Sequence, residues 1–188
     1  MGRAGGLLLP ILGLAVIAAA CDESAFKIDW TPTPDTAVVY SLARPELARA
    51  SAFNFYERTP VRIEVPGATG QWDMALDTRQ GQLVLLPPGA LGVVSRARLA
   101  ALPGQNFAQV KEAPADTLLY SSSLALPVQL NTTYVVRTDT RATNFGGACQ
   151  YYAKMQPLAA DVPGGTLRFL FDVSPVCNDR RLVPPDSI

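Results

Sequence analysis

Beyond residue 34 the apolar and polar positions alternate with a period of two. In "FNFYERTPVRIEVPG", Val61, Ile63 and Val65 fall on one side, Arg62 and Glu64 on the other, and the run stops at Pro66-Gly67. "WDMALDT" sets Trp72, Met74 and Leu76 against Asp73, Ala75 and Asp77. "LRFLFDVSP" sets Leu167, Phe169, Phe171 and Val173 against Arg168 and Asp172. Successive side chains of a strand point to opposite faces, so each run predicts a strand with one buried face. "TAVVYSLA", "GQLVLLPPG", "NTTYVVRTD" and "YYAKMQPLAA" read as further strands, rich in β-branched or aromatic residues and bounded by turn formers. Helical signal is thin. "RPELARASA" predicts two turns, with Pro45 and Glu46 near the start. The stretch from Pro87 to Asp116 has no single period and reads as long connections with a short helix or strand. The expected fold is all-β: two packed, mostly antiparallel sheets with long connections and at most short helices.

The pattern before residue 35 is different. Met1–Gly6 carries Arg3 and no acid, and Leu7–Ala20 is an apolar run of 14 residues. That is the layout of a signal peptide, and it falls short of the roughly 20 residues of a membrane-spanning helix. Small residues, "AAA", lead directly into Cys21. The segment resembles a bacterial lipoprotein box, with Ala18 where leucine is commonest. The resemblance implies cleavage before Cys21 and acylation of that residue, which would anchor the protein to a lipid bilayer. The expected organisation is a signal peptide over 1–20, a lipidated N-terminus and short tether over 21–34, a single β-rich domain over 35–177, and a C-terminal tail over 178–188. The expected location is the bacterial cell envelope, facing the periplasm or the outer-membrane surface.

Charge and cysteine count narrow the chemistry. Removing Arg3 from the 16 basic residues leaves 15 against 16 acidic ones. The longest basic cluster is Arg180-Arg181, too small for a phosphate-tracking surface, so no nucleic-acid partner is expected. Setting Cys21 aside leaves Cys149 and Cys177, which export would expose to an oxidising compartment. A disulfide between them is expected, the alternative being two buried free thiols. With no histidine in the chain and no close cysteine pair, a metal site is not expected. No nucleophile elbow or phosphate loop is present, and Asp73 and Asp77 lie about 13 Å apart along a strand, too far for paired-carboxylate chemistry. The chain reads as a non-enzyme.

The phrases "WDMALDT", "FAQVKEAPAD", "TYVVRTD" and "YYAKMQPLAADVPGGTLRFLFDV", taken in order from Phe53 to Val173, resemble the HmuY-like haem-binding bacterial lipoproteins. The resemblance implies an exported, lipidated protein of two packed sheets that captures haem. The founding type holds iron between two histidines, and this chain has none, so bis-histidine ligation is excluded. Relatives that use methionine would need Met74 and Met155, which also fit regular apolar strand faces as core residues. No tightly held haem cofactor is therefore expected. Trp72, Met74, Tyr151 and Met155 are the candidate ligand or structural anchors. Phe53, Phe55 and Tyr56 line a pocket or feed the core, and Arg137 and Lys154 are expected to pair with Asp73, Asp139 or Asp172. Asp73 is expected to accept hydrogen bonds from a nearby loop. Two functions remain open: binding of a small hydrophobic or porphyrin-like ligand, or docking against another envelope protein. A concave aromatic pocket, near the Pro87–Pro114 insert, would favour the first. A filled interior with a flat apolar patch would favour the second.

Overall fold

The computed structural model describes residues 1–2, 30–142 and 147–185. Cys21 and the apolar run before it lie outside these residues. The strands are β1 (Asp35–Tyr40), β2 (Ala52–Asn54), β3 (Thr59–Val61), β4 (Met74–Arg79), β5 (Gln82–Leu86), β6 (Arg98–Pro103), β7 (Leu126–Pro127), β8 (Thr132–Arg137), β9 (Arg141–Ala142), β10 (Ala148–Cys149), β11 (Tyr152–Asp161) and β12 (Thr166–Val173). Two five-stranded antiparallel sheets form, ordered β1-β12-β11-β8-β6 and β3-β2-β4-β5-β7, and β9 and β10 make a small separate pair. The fold is all-β, as the alternation implies.

The two inner faces meet in one core. Phe53 and Phe55 from the second sheet's hairpin pack with Phe169 and Phe171 of β12, and Met74, Leu76, Leu85, Leu99, Tyr134 and Met155 complete it. Phe53 contacts Phe169 and Phe171 edge-on, at centroid separations of 5.3 and 4.8 Å. Such pairs add about 1 kcal/mol each beyond the area they bury. Tyr134 brings a hydroxyl into this core. It donates to the Pro127 carbonyl and accepts from the Gln129 N–H at 3.0 Å, and burial pushes its pKa up to about 12.

Both outer faces are covered by loops. Over the second sheet, a single 3-10 turn at Pro88–Leu91 brings Leu91 and then Val93 against Trp72, Ala75, Val84 and Leu86. Over the first, Val110 and Ala113 from the insert pack with Leu182 on Ala100 and Val135. Lys154, on the outer side of β11, fastens this cover: its ammonium donates to the Phe107 and Val110 carbonyls, both at 2.9 Å. Cys149 and Cys177 are disulfide-bonded, Cα atoms 5.2 Å apart, as their number predicts.

Several local expectations need correction. The strand expected through Val65 ends at Val61. The chain then makes successive tight turns, closed by Val65 N–H on the Arg62 carbonyl and Ala68 N–H on the Val65 carbonyl, and Val65 is exposed. "RPELARASA" forms no helix. It is the crossing from β1 to β2, held by separate bonds such as Tyr40 N–H to Ala50 and Leu42 N–H to Leu76, which outcompete a helix too short to stand alone. Trp72 does not share the Met74 face. The chain bends at Asp73 and the strand starts only at Met74, so parity does not carry back and Trp72 joins Ala75 on the outer side. Lys154 binds carbonyls rather than an acid, and Arg137 forms none of the expected ion pairs among the described residues. The tail packs through Leu182: Ala113 N–H donates to the Arg180 carbonyl, Leu182 N–H donates to the Lys111 carbonyl, and Leu182 is buried.

Candidate functional site

The site begins with the sharp turn between β2 and β3. Phe55 is drawn inward, its N–H bonded to Asp73 Oδ2 at 2.9 Å, while the Asn54 side chain accepts from Glu57 N–H at 3.0 Å and donates to the Gln71 carbonyl at 2.8 Å. The turn therefore turns Tyr56 and Arg58 outward. Arg58 adopts φ of 58°, a left-handed conformation that costs a non-glycine residue about 1 kcal/mol. What offsets it is the reach of the side chain. The guanidinium lies 4.8 Å above the centre of the Phe171 ring, 3.4 Å from Asp172 Oδ1, and donates to the Thr33 carbonyl.

Asp73 holds the turn from below. Its carboxylate is fully buried, accepting from Phe55 N–H and, at 2.9 Å, from Asp139 N–H, with Arg141 Nη2 at 3.5 Å. Burial pushes its carboxyl above the ordinary range, while those N–H groups and Arg141 pull the other way. It accepts from the loop, as its pattern implies. Arg141, not Arg137 or Lys154, is the cation beside it, and that guanidinium also lies 5.8 Å from the Tyr56 ring centre.

Tyr151 meets this turn from the first sheet. Its backbone pairs with Thr138, whose hydroxyl accepts the Tyr151 N–H at 2.9 Å. Its ring stacks on Tyr56 at 4.8 Å with the planes 34° apart. Burial, then the neighbouring Tyr56, raises its pKa. Around this pair lies a cleft of about 370 Å³, lined by Trp30, Thr33, Arg58, Val173 and Ser174 as well. A groove of about 450 Å³ adjoins it between β1 and the β2–β3 hairpin and shares Arg58.

The chain matches no family model, no curated protein and no solved structure. The site therefore rests on its geometry. Of the four candidate anchors, only Tyr151 lines the cleft. Met74 and Met155 are fully buried between the sheets, and Trp72 is buried under the loop over the second sheet. Of the aromatic trio, Phe53 and Phe55 feed the core and Tyr56 goes to the cleft. Trp30 and Arg58 had no place in the sequence reading. Trp30 fell in the presumed tether, and Arg58 sits in a turn whose left-handed conformation no residue pattern announces. No residue of the Pro87–Pro114 insert lines the concave aromatic site; the middle of the insert forms β6, and its loops cover the outer faces.

The lining defines what the cleft can do. Three aromatic side chains offer planar apolar surface, and Thr31, Thr33, Ser174 and the tyrosine hydroxyls offer hydrogen bonds. Among the described lining residues the one cation is Arg58, already partnered by Asp172. Among the described residues no carboxylate lines the cleft, and no three His, Cys, Asp or Glu side chains gather as a metal set. That arrangement suits stacking and hydrogen bonding.

Proposed function

We propose that this protein is a non-enzymatic, lipid-anchored envelope protein that holds a small planar ligand in the Trp30–Tyr56–Tyr151 cleft. The observation that carries the reading is the stacked Tyr56–Tyr151 pair, held open beside Trp30 by a turn that Asp73 fixes from within. A cleft of about 370 Å³ lies toward the small end of ligand sites, which span about 300 to 1,000 Å³. The lipoprotein-box pattern that ends at Cys21 and the resemblance of the strand phrases to HmuY-like lipoproteins support the setting. Haem held by a methionine pair fits poorly, because Met74 and Met155 would have to leave a filled core, and each vacancy would cost about 2–5 kcal/mol. Phenolate ligation through Tyr151 is also disfavoured, since burial raises its pKa.

Titration with anilinonaphthalene sulfonate, a planar aromatic probe, tests the site. Saturable fluorescence is expected in the wild type and its loss in a Tyr56→Ala/Tyr151→Ala variant. Equal fluorescence in both would move the site elsewhere.

A further inference from the structure

The topology gives the sandwich two distinct ends. At one end β1 begins opposite Phe171, β12 finishes at Val173, β11 begins, β8 finishes at Arg137, and β6 begins at Arg98 opposite it. The cleft and the Trp30–Thr33 segment are at this end. So is the loop before β6, since Arg96 N–H donates to Asp139 Oδ1 at 3.0 Å and Asp139 N–H donates to Asp73. So too is the connection that pairs Ser121 with Leu99, one residue into β6, and closes a turn with Leu124 N–H on the Ser121 hydroxyl at 2.7 Å. Gly89 packs so closely on Ser122 that a Cβ there would strike its carbonyl, which joins the two loops.

These two loops carry bare apolar side chains. Val94 is 100% exposed and Leu124 71%. The apolar side chains at the opposite end are better covered: Leu47 64%, Leu130 54% and Leu158 40%. Arg96 and Arg98 follow Val94 by two and four residues, and Arg137 faces Arg98 across the strand pair. None of the three makes an ion pair among the described residues. Single exposed apolar residues are ordinary, but apolar tips beside arginines suit the boundary between lipid headgroups and acyl chains. Tyrosine and tryptophan also favour that boundary, and Trp30, Tyr56 and Tyr151 lie at the same end.

Chain length identifies what covers this end. Cys21 lies nine residues before Trp30, and nine residues fully extended reach about 30 Å. We propose that the end bearing Val94 and Leu124 rests on the surface of the bilayer to which Cys21 is anchored, so that the cleft opens toward lipid and takes a ligand partitioned there. This rests on the lipid-anchored reading above.

The test uses the full lipidated chain in mixed phosphatidylcholine–phosphatidylglycerol vesicles. An environment-sensitive dye is placed on Leu124→Cys or, at the opposite end, on Leu47→Cys. Both sites are exposed enough to accept a label, and the native cysteines are occupied. The expected result is blue-shifted emission and quenching by nitroxide-bearing lipid at position 124, with neither at 47. If the protein floats with vesicles and the two labels are equally solvent-exposed, this orientation is overturned and the anchoring stands. If wild type and Cys21→Ser behave alike in flotation, the anchoring reading fails and the orientation falls with it.

Discussion

Removing the Cys149–Cys177 bond by a Cys149→Ala/Cys177→Ala change tests the stability account most quantitatively. The sequence separation is 28, and the closed loop contains the whole β11–β12 hairpin at the centre of the first sheet. Loop-closure entropy for a segment of this length gives about 3.5 kcal/mol lost, nearly all from the unfolded state. The folded state keeps a second clasp at the same place. Gln150 N–H donates to the Asn178 side chain and Asn178 N–H to the Gln150 carbonyl, both at 2.9 Å, so the native fold is expected to persist. For a chain of this size each kcal/mol shifts Tm by about 2–4 °C, giving a fall of about 7–14 °C. Urea unfolding followed by the fluorescence of buried Trp72 reads the change directly. The midpoint is expected to fall. The slope is expected to rise, because the uncrosslinked unfolded chain exposes more surface. An unchanged midpoint with unchanged slope would show that the bond restrains nothing the native contacts do not already hold, and the entropy argument would fail.

Two further outcomes follow from buried charges. Lys154→Met leaves the Phe107 and Val110 carbonyls without their donor, a loss of about 1–3 kcal/mol by urea unfolding. Burial also holds the Lys154 pKa below its ordinary value of about 10.4, with Asp172 opposing, so across the window between the two values the unfolded chain binds more protons. The wild type should therefore gain on the variant as pH rises toward 10, and a shrinking difference would contradict the assignment. Asp73→Ala strips the acceptor from Phe55 and Asp139 N–H groups and should cost about 2–4 kcal/mol, with Asp73→Asn costing less because one carbonyl oxygen remains. The near-ultraviolet signal of the Tyr56–Tyr151 stack should weaken in the alanine variant, and an undisturbed signal would separate Asp73 from the cleft.

The contrast between Lys154 and Phe169 shows what alternation can and cannot reveal. Period two correctly sorted Phe169 and Phe171 inward, along with Met74, Leu76 and Met155, because the inner faces meet each other and nothing else. It set Lys154 on the other side, also correctly, yet that side is roofed by Val110 and Ala113, so a polar position is buried. Alternation says which face a side chain takes and is silent about what covers it. The same silence hid Leu182, whose partners lie about 70 residues earlier in the chain. The disulfide needed only a count of cysteines and the expectation of export. Trp72 and Val65 failed for local reasons: a bend at Asp73 broke the parity of one run, and the turns around Pro66 and Gly67 ended the other early. The cleft was the least legible part. Tyr151 and Tyr56 were visible as aromatics, but their stacking depends on a left-handed turn at Arg58 and on a carboxylate buried beneath it. Both arise only when β2, β4 and the segment after β8 come together.

Whether the cleft holds a ligand in the cell is decided by native mass spectrometry of the full protein released gently from the cells that make it. The account predicts a small-molecule adduct on the wild type that disappears in the Tyr56→Ala/Tyr151→Ala variant. A bare polypeptide mass in both, or an adduct that survives the double change, would contradict it.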